Sequence, residues 1–362
     1  MPAYKNQHFV PRAHLKPFSL NGEGHAVSLY NSRSGRCIHG APVKSQCARD
    51  YFYGRDRGLE SKLGELEQKY ATVVGEIVAA GSRRPTIATQ WLRLFWCVQW
   101  GRTEAAAEAA KEVAEGMAKT LKIERHSPPN TKWVMISLAA FAKAHENAAD
   151  LECVILRNRT GIPFITSDNP AAVSNKFHLV DKRVRFSTFG IGSAGALLFL
   201  PLTPEHVALF FDADVHTIAH RNGWFDIKQA ADVAAINQHQ VLNCQSNVYF
   251  SSERAYDWIE PSFKELASER SEPTWKQHYA VLDAEHDGVQ RFKVVTGGRV
   301  RDHRQAIIIT QGIPKRPNAW PSFLQWRTLG SAYDSCTAAG IVRAAHVLAN
   351  PLSEFKRLRI NT

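Results

Sequence analysis

Residues 152–170 read Glu152-Cys153-Val154-Ile155-Leu156-Arg157-Asn158-Arg159-Thr160-Gly161-Ile162-Pro163-Phe164-Ile165-Thr166-Ser167-Asp168-Asn169-Pro170. Val154, Ile155 and Leu156 form an apolar, partly β-branched run, Arg159-Thr160-Gly161 supplies turn chemistry, and Phe164-Ile165 restart a strand. Pro170 must end that strand, because proline lacks the N–H that a ladder needs. The stretch therefore predicts strand, turn, strand, with Asp168 and Asn169 left at the strand end. Such positions gather ligand-facing groups, since a rigid scaffold holds them while they stay open. The competing reading is local: an Asx turn in which either side chain bonds its own backbone.

Upstream of this stretch the pattern is helical. Leu59, Leu63, Leu66, Tyr70, Val73 and Ile77 recur at three- and four-residue steps, which predicts an amphipathic helix ending near Gly81. Residues 86–100 are apolar almost all round and predict a buried helix, with Gln99 and Arg102 on one face of its far end. A buried cation without a partner is costly, so Arg102 is expected to be either an ion-pair member or a site residue. Residues 103–124 and 130–148 predict two further helices.

Downstream, strands are expected at 164–166, 183–186, 196–200 and 206–211, beside the strand at 151–157. Pro201-Leu202-Thr203-Pro204 separates two of them, which are expected to be neighbours beside an Asp168 hairpin. The run Gly190-Ile191-Gly192-Ser193-Ala194-Gly195 has no Gly-Lys-Ser/Thr ending and no following helix, so it reads as a connection rather than a phosphate loop. A helix at 227–244 carries Asn237 and Gln240 as polar insertions; Asn237, Asn243 and Gln245 are placed to reach a ligand, as amides that orient rather than transfer protons. The fold class is α+β: a helical layer from 59–148 packed on a small mixed or antiparallel sheet, with a C-terminal mostly-β extension. The expected division is a core over 1–255, its sheet part spanning 151–255, and a basic extension over 256–362.

The N-terminal stretch Asn6-Gln7-His8-Phe9-Val10-Pro11-Arg12-Ala13-His14-Leu15-Lys16-Pro17-Phe18-Ser19 is dense in groups suited to proton or phosphate chemistry. Pro11 suits the first turn of a short helix, with Leu15 and Phe18 inward and Arg12, His14 and Lys16 spread around it. A histidine near neutrality is the usual general acid or base, and a neighbouring Arg or Lys steadies developing negative charge. Each histidine also has the plainer reading of a satisfied structural imidazole.

The 362 residues carry a formal charge of +11, with 44% hydrophobic and 22% charged residues. That charge sits at the ends: +5 over residues 1–60, 0 over 61–270 and +6 over 271–362. Ends that fold together would make a basic face for phosphates, with salt-sensitive binding. In 256–362, the basic Arg299-Val300-Arg301-Asp302-His303-Arg304 and the aromatics Trp320, Phe323 and Trp326 suit contacts to phosphates and bases, or else a small core. The six cysteines include no Cys-x-x-Cys pair, so reduced thiols are expected. No apolar run reaches the ~18 residues of a membrane span and the first residues lack a signal peptide's apolar segment, so a cytoplasmic protein without membrane contact is expected.

The Asn6–Pro11 opening with Leu15-Lys16-Pro17-Phe18-Ser19, the Arg102-Thr103 helix end, the Phe164-Ile165-Thr166-Ser167-Asp168-Asn169-Pro170 segment and Pro201-Leu202-Thr203-Pro204 occur in this order. In that order they resemble the bacterial DUF4238 family over roughly residues 5–255. The resemblance implies a common site without naming its chemistry, and it implies that the separated polar motifs converge.

The leading expectation is a nuclease or phosphodiesterase. In it His8 is general acid or base, Arg102 and Arg12 stabilise the phosphorane-like charge, and Asp168 orients the histidine or holds a metal. Gln7, Arg12, His14, Lys16, Asn169 and Asn237 are the expected substrate-binding residues. No cofactor is specified; a divalent metal on Asp168, Asp212 and Asp214 is an option, although no Glu-x-Lys nuclease strand accompanies them. The alternatives are a non-catalytic RNA- or DNA-binding module and an enzyme hydrolysing NAD or another nucleotide. The oligomeric state is left open.

Overall fold

The computed structural model describes residues 5–55, 57–80, 88–121, 128–184, 188–252, 255–272, 275–286, 289–295, 305–337 and 339–360. The chain opens with β1 (Asn6–His8), the short helix α1 (Arg12–Leu15), the hairpin of β2 (Ala26–Asn31) and β3 (Arg36–Pro42), and β4 (Ala48–Asp50). The helical layer follows: α2 (Arg57–Ala79), α3 (Thr89–Gly101), α4 (Glu104–Leu121), α5 (Asn130–Ala139) and α6 (Phe141–Asn147). The single helix expected over 130–148 is thus two, broken at Ala140.

The sheet region contains β5 (Glu152–Asn158), β6 (Thr166–Ser167), β7 (Ala172–Ser174), α7 (Lys176–Val180), β8 (Leu197–Thr203), β9 (His206–Phe211), β10 (His216–Thr217), β11 (Trp224–Ile227), α8 (Ala230–Asn243) and β12 (Asn247–Phe250). Beyond it lie α9 (Tyr256–Glu265), α10 (Ala267–Ser271), β13 (Trp275–His286), β14 (Val289–Val294), β15 (Ala306–Gly312), β16 (Gln325–Trp326), β17 (Ser331–Asp334), β18 (Ile341–Val342), α11 (Ala344–Ala349) and β19 (Lys356–Arg359). The architecture is mixed α+β with a β-rich C-terminal region.

The central sheet has the order β11-β5-β9-β8-β7, antiparallel except for the parallel β11–β5 pair. Its strands are apolar on both faces because both are covered. Ile155, Leu198, Leu200, Ala208 and Phe210 pack with the helical layer, while Val154, Leu156, Phe199, Val207 and Leu209 pack with Val233 and Ile236 of α8 and with Phe323 and Leu324. The Trp96 indole N–H ties α3 to the sheet by donating to the Phe199 carbonyl at 3.0 Å. At the end of α3, a Cβ on Gly101 would lie 2.7 Å from the Ser137 carbonyl oxygen. Only glycine lets α3 approach α5 this closely.

The hairpin expected over 152–170 is not formed. β5 pairs with β9 and β11, whereas β6 pairs with β12 in a second antiparallel sheet of order β3-β2-β12-β6. The intervening turn closes on itself, the Asn158 amide donating to the Ile162 carbonyl at 2.6 Å, and Phe164 N–H then bonds Pro204 O at 2.8 Å. The chain thereby crosses from one sheet to the other. β8 and β9 are neighbours, as expected, and the strand expected over 183–186 falls partly outside the described residues and has only a turn within them.

The aromatics of the C-terminal region pack inward. Phe323 is buried against Phe225, and Trp326 stacks on the buried His216 with ring centroids 5.2 Å apart. Phe323 thus belongs to the core while Trp326 is half-buried, and the basic run 299–304 lies outside the described residues.

Candidate binding cleft

The polar motifs converge, as buried joints. Along one face of α8, Asn237, Gln240 and Asn243 each reach the 163–171 segment. The Asn237 side-chain oxygen accepts Ile165 N–H at 3.1 Å and its amide donates to Pro163 O at 3.0 Å; the Gln240 amide donates to Pro170 O at 2.9 Å and its oxygen accepts the Ser167 hydroxyl at 2.8 Å. The Asn243 amide donates to Asn169 O, and Asn169 Nδ2 donates back to Asn243 O at 3.1 Å. A segment with only two residues in a strand needs other partners for its backbone, and amides supply both donor and acceptor.

Asp168 completes this joint. Oδ1 accepts Gln245 N–H at 2.8 Å, and Oδ2 accepts Ser246 and Asn247 N–H at 2.8 Å each. The carboxylate is only 7% exposed. Burial pushes its pKa up and the three N–H groups pull it back, burial prevailing.

The N-terminal motif is pinned in the same way. Arg102 is fully buried after α3; Nε donates to Phe9 O at 3.1 Å, and Nη2 to His8 O at 3.3 Å and to Glu67 at 2.7 Å. Gln99 also donates to Phe9 O, at 2.8 Å. Gln7 accepts Tyr53 N–H at 2.7 Å and donates to Gly54 O at 3.0 Å. His14 is fully buried between the Tyr70 hydroxyl and the Thr166 hydroxyl, both at 2.8 Å, and burial pushes its pKa down to about 3. Thr103 links the two motifs: its hydroxyl donates to Asn169 Oδ1 at 2.9 Å and accepts Ala106 N–H in the first turn of α4.

His8, Arg102 and Asp168, expected to act together on a substrate, are not brought side chain to side chain. Arg102 adjoins His8 through its backbone, but Asp168 has both oxygens engaged by the 245–247 backbone. Gln7, His14, Asn169 and Asn237, expected to bind substrate, are likewise engaged with protein groups, while Arg12 and Lys16 are exposed. Asp212 is also a backbone anchor, accepting Gly195 N–H at 2.7 Å and Asp214 N–H at 3.0 Å. The metal option fails on geometry: among the described residues no three His, Cys, Asp or Glu side chains are grouped to hold an ion.

An open site adjoins these joints. A cleft of about 540 Å³ is lined by Arg33, Arg49, Asp50, Tyr51 and Phe52 from the first hundred residues, by Glu104, Glu108 and Lys111 of α4, by Asn130 and Trp133 of α5, and by Gln245 and Ser246. Three of its walls are set by motif residues. Asp168 holds the backbone of Gln245 and Ser246; Gln7 holds the turn after Tyr51; Thr103 caps the turn carrying Glu104. Ser32 N–H bonds Ser246 O at 2.7 Å and so places Arg33 at the rim. Arg49 is clamped by Glu104 through two bonds of 2.9 and 3.1 Å, and Lys111 pairs with Glu108 at 3.4 Å.

Of the lining residues, Gln245 is the one the sequence puts forward as a ligand-reaching amide. Phe52 is buried, whereas Tyr51 is half-buried with a left-handed backbone (φ 51°) that turns it toward the cleft. The signal available was the turn Asn31–Arg36 with its two arginines and the Arg49-Asp50 pair beside aromatics.

Fold and site together define an α+β protein whose buried amide, arginine and aspartate joints frame a mixed-charge cleft. The chain belongs to the DUF4238 family, described as "Protein of unknown function", whose model matches residues 6–254. No curated protein and no solved structure matches it. No helix of the described residues is long and apolar enough to cross a membrane.

Proposed function

We propose that this protein is a non-catalytic module that binds single-stranded RNA or DNA, seating one nucleotide unit in the cleft. The observation that carries this reading is the company of Arg33, Arg49 and Lys111 with the half-buried Tyr51 on the open walls, over the buried Trp133, while the polar motif residues are engaged inside. An aromatic face stacks on any base, amides such as Asn130 and Gln245 meet base edges, and carboxylates accept exocyclic amines. The net charge of +11 favours approach of a polyanion.

Since Arg49 and Lys111 are already ion-paired, few phosphates are neutralised. The expected slope of log K against log salt is therefore shallow, roughly −1 to −2. Anisotropy titrations of labelled single-stranded oligonucleotides at several salt concentrations check this. Binding that Arg33→Ala weakens, with the oligonucleotide left intact, supports the reading; no binding at low salt removes it.

A specific observation favours a second reading, hydrolysis of a phosphodiester or of a small nucleotide such as NAD at His8. The buried atoms His8 Nε2 and Arg102 Nη1 have no hydrogen-bond partner among the described residues, and a reacting role is one explanation for unpaired buried polar atoms. Burial and the Arg12 guanidinium push the His8 pKa down, opposed by Glu67, so the imidazole is neutral at pH 7, as a general base must be. Turnover of RNA, DNA or NAD that His8→Ala abolishes would establish this reading; its absence with and without Mg²⁺ or Mn²⁺ leaves the binding module.

A further inference from the structure

Each carboxylate lining the cleft is paired with a cation. Asp50 meets Lys5 at 3.0 Å, Glu104 meets Arg49 at 2.9 Å and Glu108 meets Lys111 at 3.4 Å. Among the described residues Arg33 is the lining cation without a carboxylate partner.

The three pairs differ in kind. Lys111 and Glu108 stand three residues apart on α4, joined by one long contact, and Lys5 and Asp50 are both more than half exposed. Arg49 and Glu104 instead join two walls, β4 on one side and the start of α4 on the other. Arg49 Nε donates to Oε1 at 2.9 Å and Nη2 donates to Oε2 at 3.1 Å, two bonds from one edge of the guanidinium. Nη1 donates to the Ala48 carbonyl at 3.1 Å and so holds the guanidinium from the β4 side. On the α4 side, Thr103 fixes the helix start through Asn169 Oδ1 and Ala106 N–H.

This forked pairing is how arginine holds a carboxylate and equally how it holds a phosphate. We propose that Glu104 is a built-in competitor of the ligand: it occupies the fork of Arg49, and a phosphate of the bound strand gains that fork only by displacing it. The inference rests on the nucleic-acid reading of the cleft and adds to it the residue that limits affinity. Exchange is feasible because the two side chains are 58% and 36% exposed, and an ion pair in solvent contributes little. The pair of Glu67 with the fully buried Arg102 could not be exchanged in this way, since breaking it leaves a buried charge alone. Once displaced, Glu104 remains near the phosphate and repels it, so its charge counts against binding twice.

Anisotropy titrations of a labelled single-stranded oligonucleotide at several salt concentrations test this on the full chain, native, Glu104→Gln, and Glu104→Gln combined with Arg49→Lys. Glu104→Gln is expected to tighten binding about tenfold. By freeing one more phosphate contact it also steepens the slope of log K against log salt by about 0.7. Adding Arg49→Lys keeps the charge but removes the fork, and is expected to return most of that gain. Because both side chains are part-exposed, all three chains are expected to share one melting curve. A Glu104→Gln chain with native affinity and slope would overturn the competitor role while the cleft reading stands. A double variant that keeps the whole gain would reduce the effect to charge relief and overturn it as well. Failure of both the native and the Glu104→Gln chains to bind removes the cleft reading itself, and this inference with it.

Discussion

Asp168→Ala lowers the unfolding free energy by about 2–4 kcal/mol, because it strips the acceptor from three part-buried backbone N–H groups at once. The donors are Gln245, Ser246 and Asn247, each at 2.8 Å. Asp168→Asn is milder. Its single carboxamide oxygen can keep the two bonds made by Oδ2 while the amide faces the Gln245 N–H, so a loss of about 1–2 kcal/mol is expected. Urea unfolding followed by tryptophan fluorescence orders the three proteins: native, then Asn, then Ala. An Asp168→Ala chain as stable as the native one would show that the 245–247 loop is held by something else.

Acid unfolds the protein cooperatively below about pH 6. Burial pushes the pKa of His14, His216 and His239 down to about 3 and that of His178 and His206 to about 4. Unfolded imidazoles titrate near 6.5. Between that value and the depressed ones the unfolded chain takes up protons that the folded chain refuses. The stability these groups contribute is complete above about pH 6.5 and is lost as pH falls toward 3–4, at up to about 1.4 kcal/mol per pH unit for each imidazole. Asp212 acts in the opposite sense: burial pushes its pKa up to about 6, so its contribution is present below the unfolded carboxyl value and is lost as pH rises through 6. Asp168, whose pKa burial also pushes up, acts in the same sense as Asp212, and these two carboxyls do not offset five imidazoles. His239 stacks on Phe199 at 4.3 Å, and its Nε2 has no hydrogen-bond partner. His239→Phe keeps that stacking and is expected to move the acid midpoint lower, whereas an unmoved midpoint would exclude this imidazole as a contributor.

Much of the fold was legible because its periods are strong. The α2 stripe from Leu59 to Ile77, the all-round apolar α3 and the adjacent β8 and β9 appear where residue spacing puts them. The pairing of β6 was not legible. A short apolar run such as Phe164-Ile165 does not specify its sheet, and the switch depends on Asn158 folding the turn and Phe164 meeting Pro204. The site was half legible for a chemical reason. Residues able to bind a ligand, such as His14, Asn169 and Asn237, are equally able to bind backbone, and here they bind hydroxyls and carbonyls of the 163–171 segment and its neighbours. Arg33, Tyr51, Trp133 and Gln245 come from separate stretches with no common spacing, so only the fold brings them to one cleft.

The central claim is that the motif residues build the cleft and the cleft binds the ligand. Oligonucleotide binding to the native protein, to Arg33→Ala with Tyr51→Ala, and to His8→Ala, with strand integrity followed in the same samples, tests it most directly. The account predicts salt-sensitive binding that the cleft variant loses by at least about tenfold, that His8→Ala retains, and that leaves the strand intact. Undiminished binding by the cleft variant, or strand cleavage that disappears with His8→Ala, would contradict it.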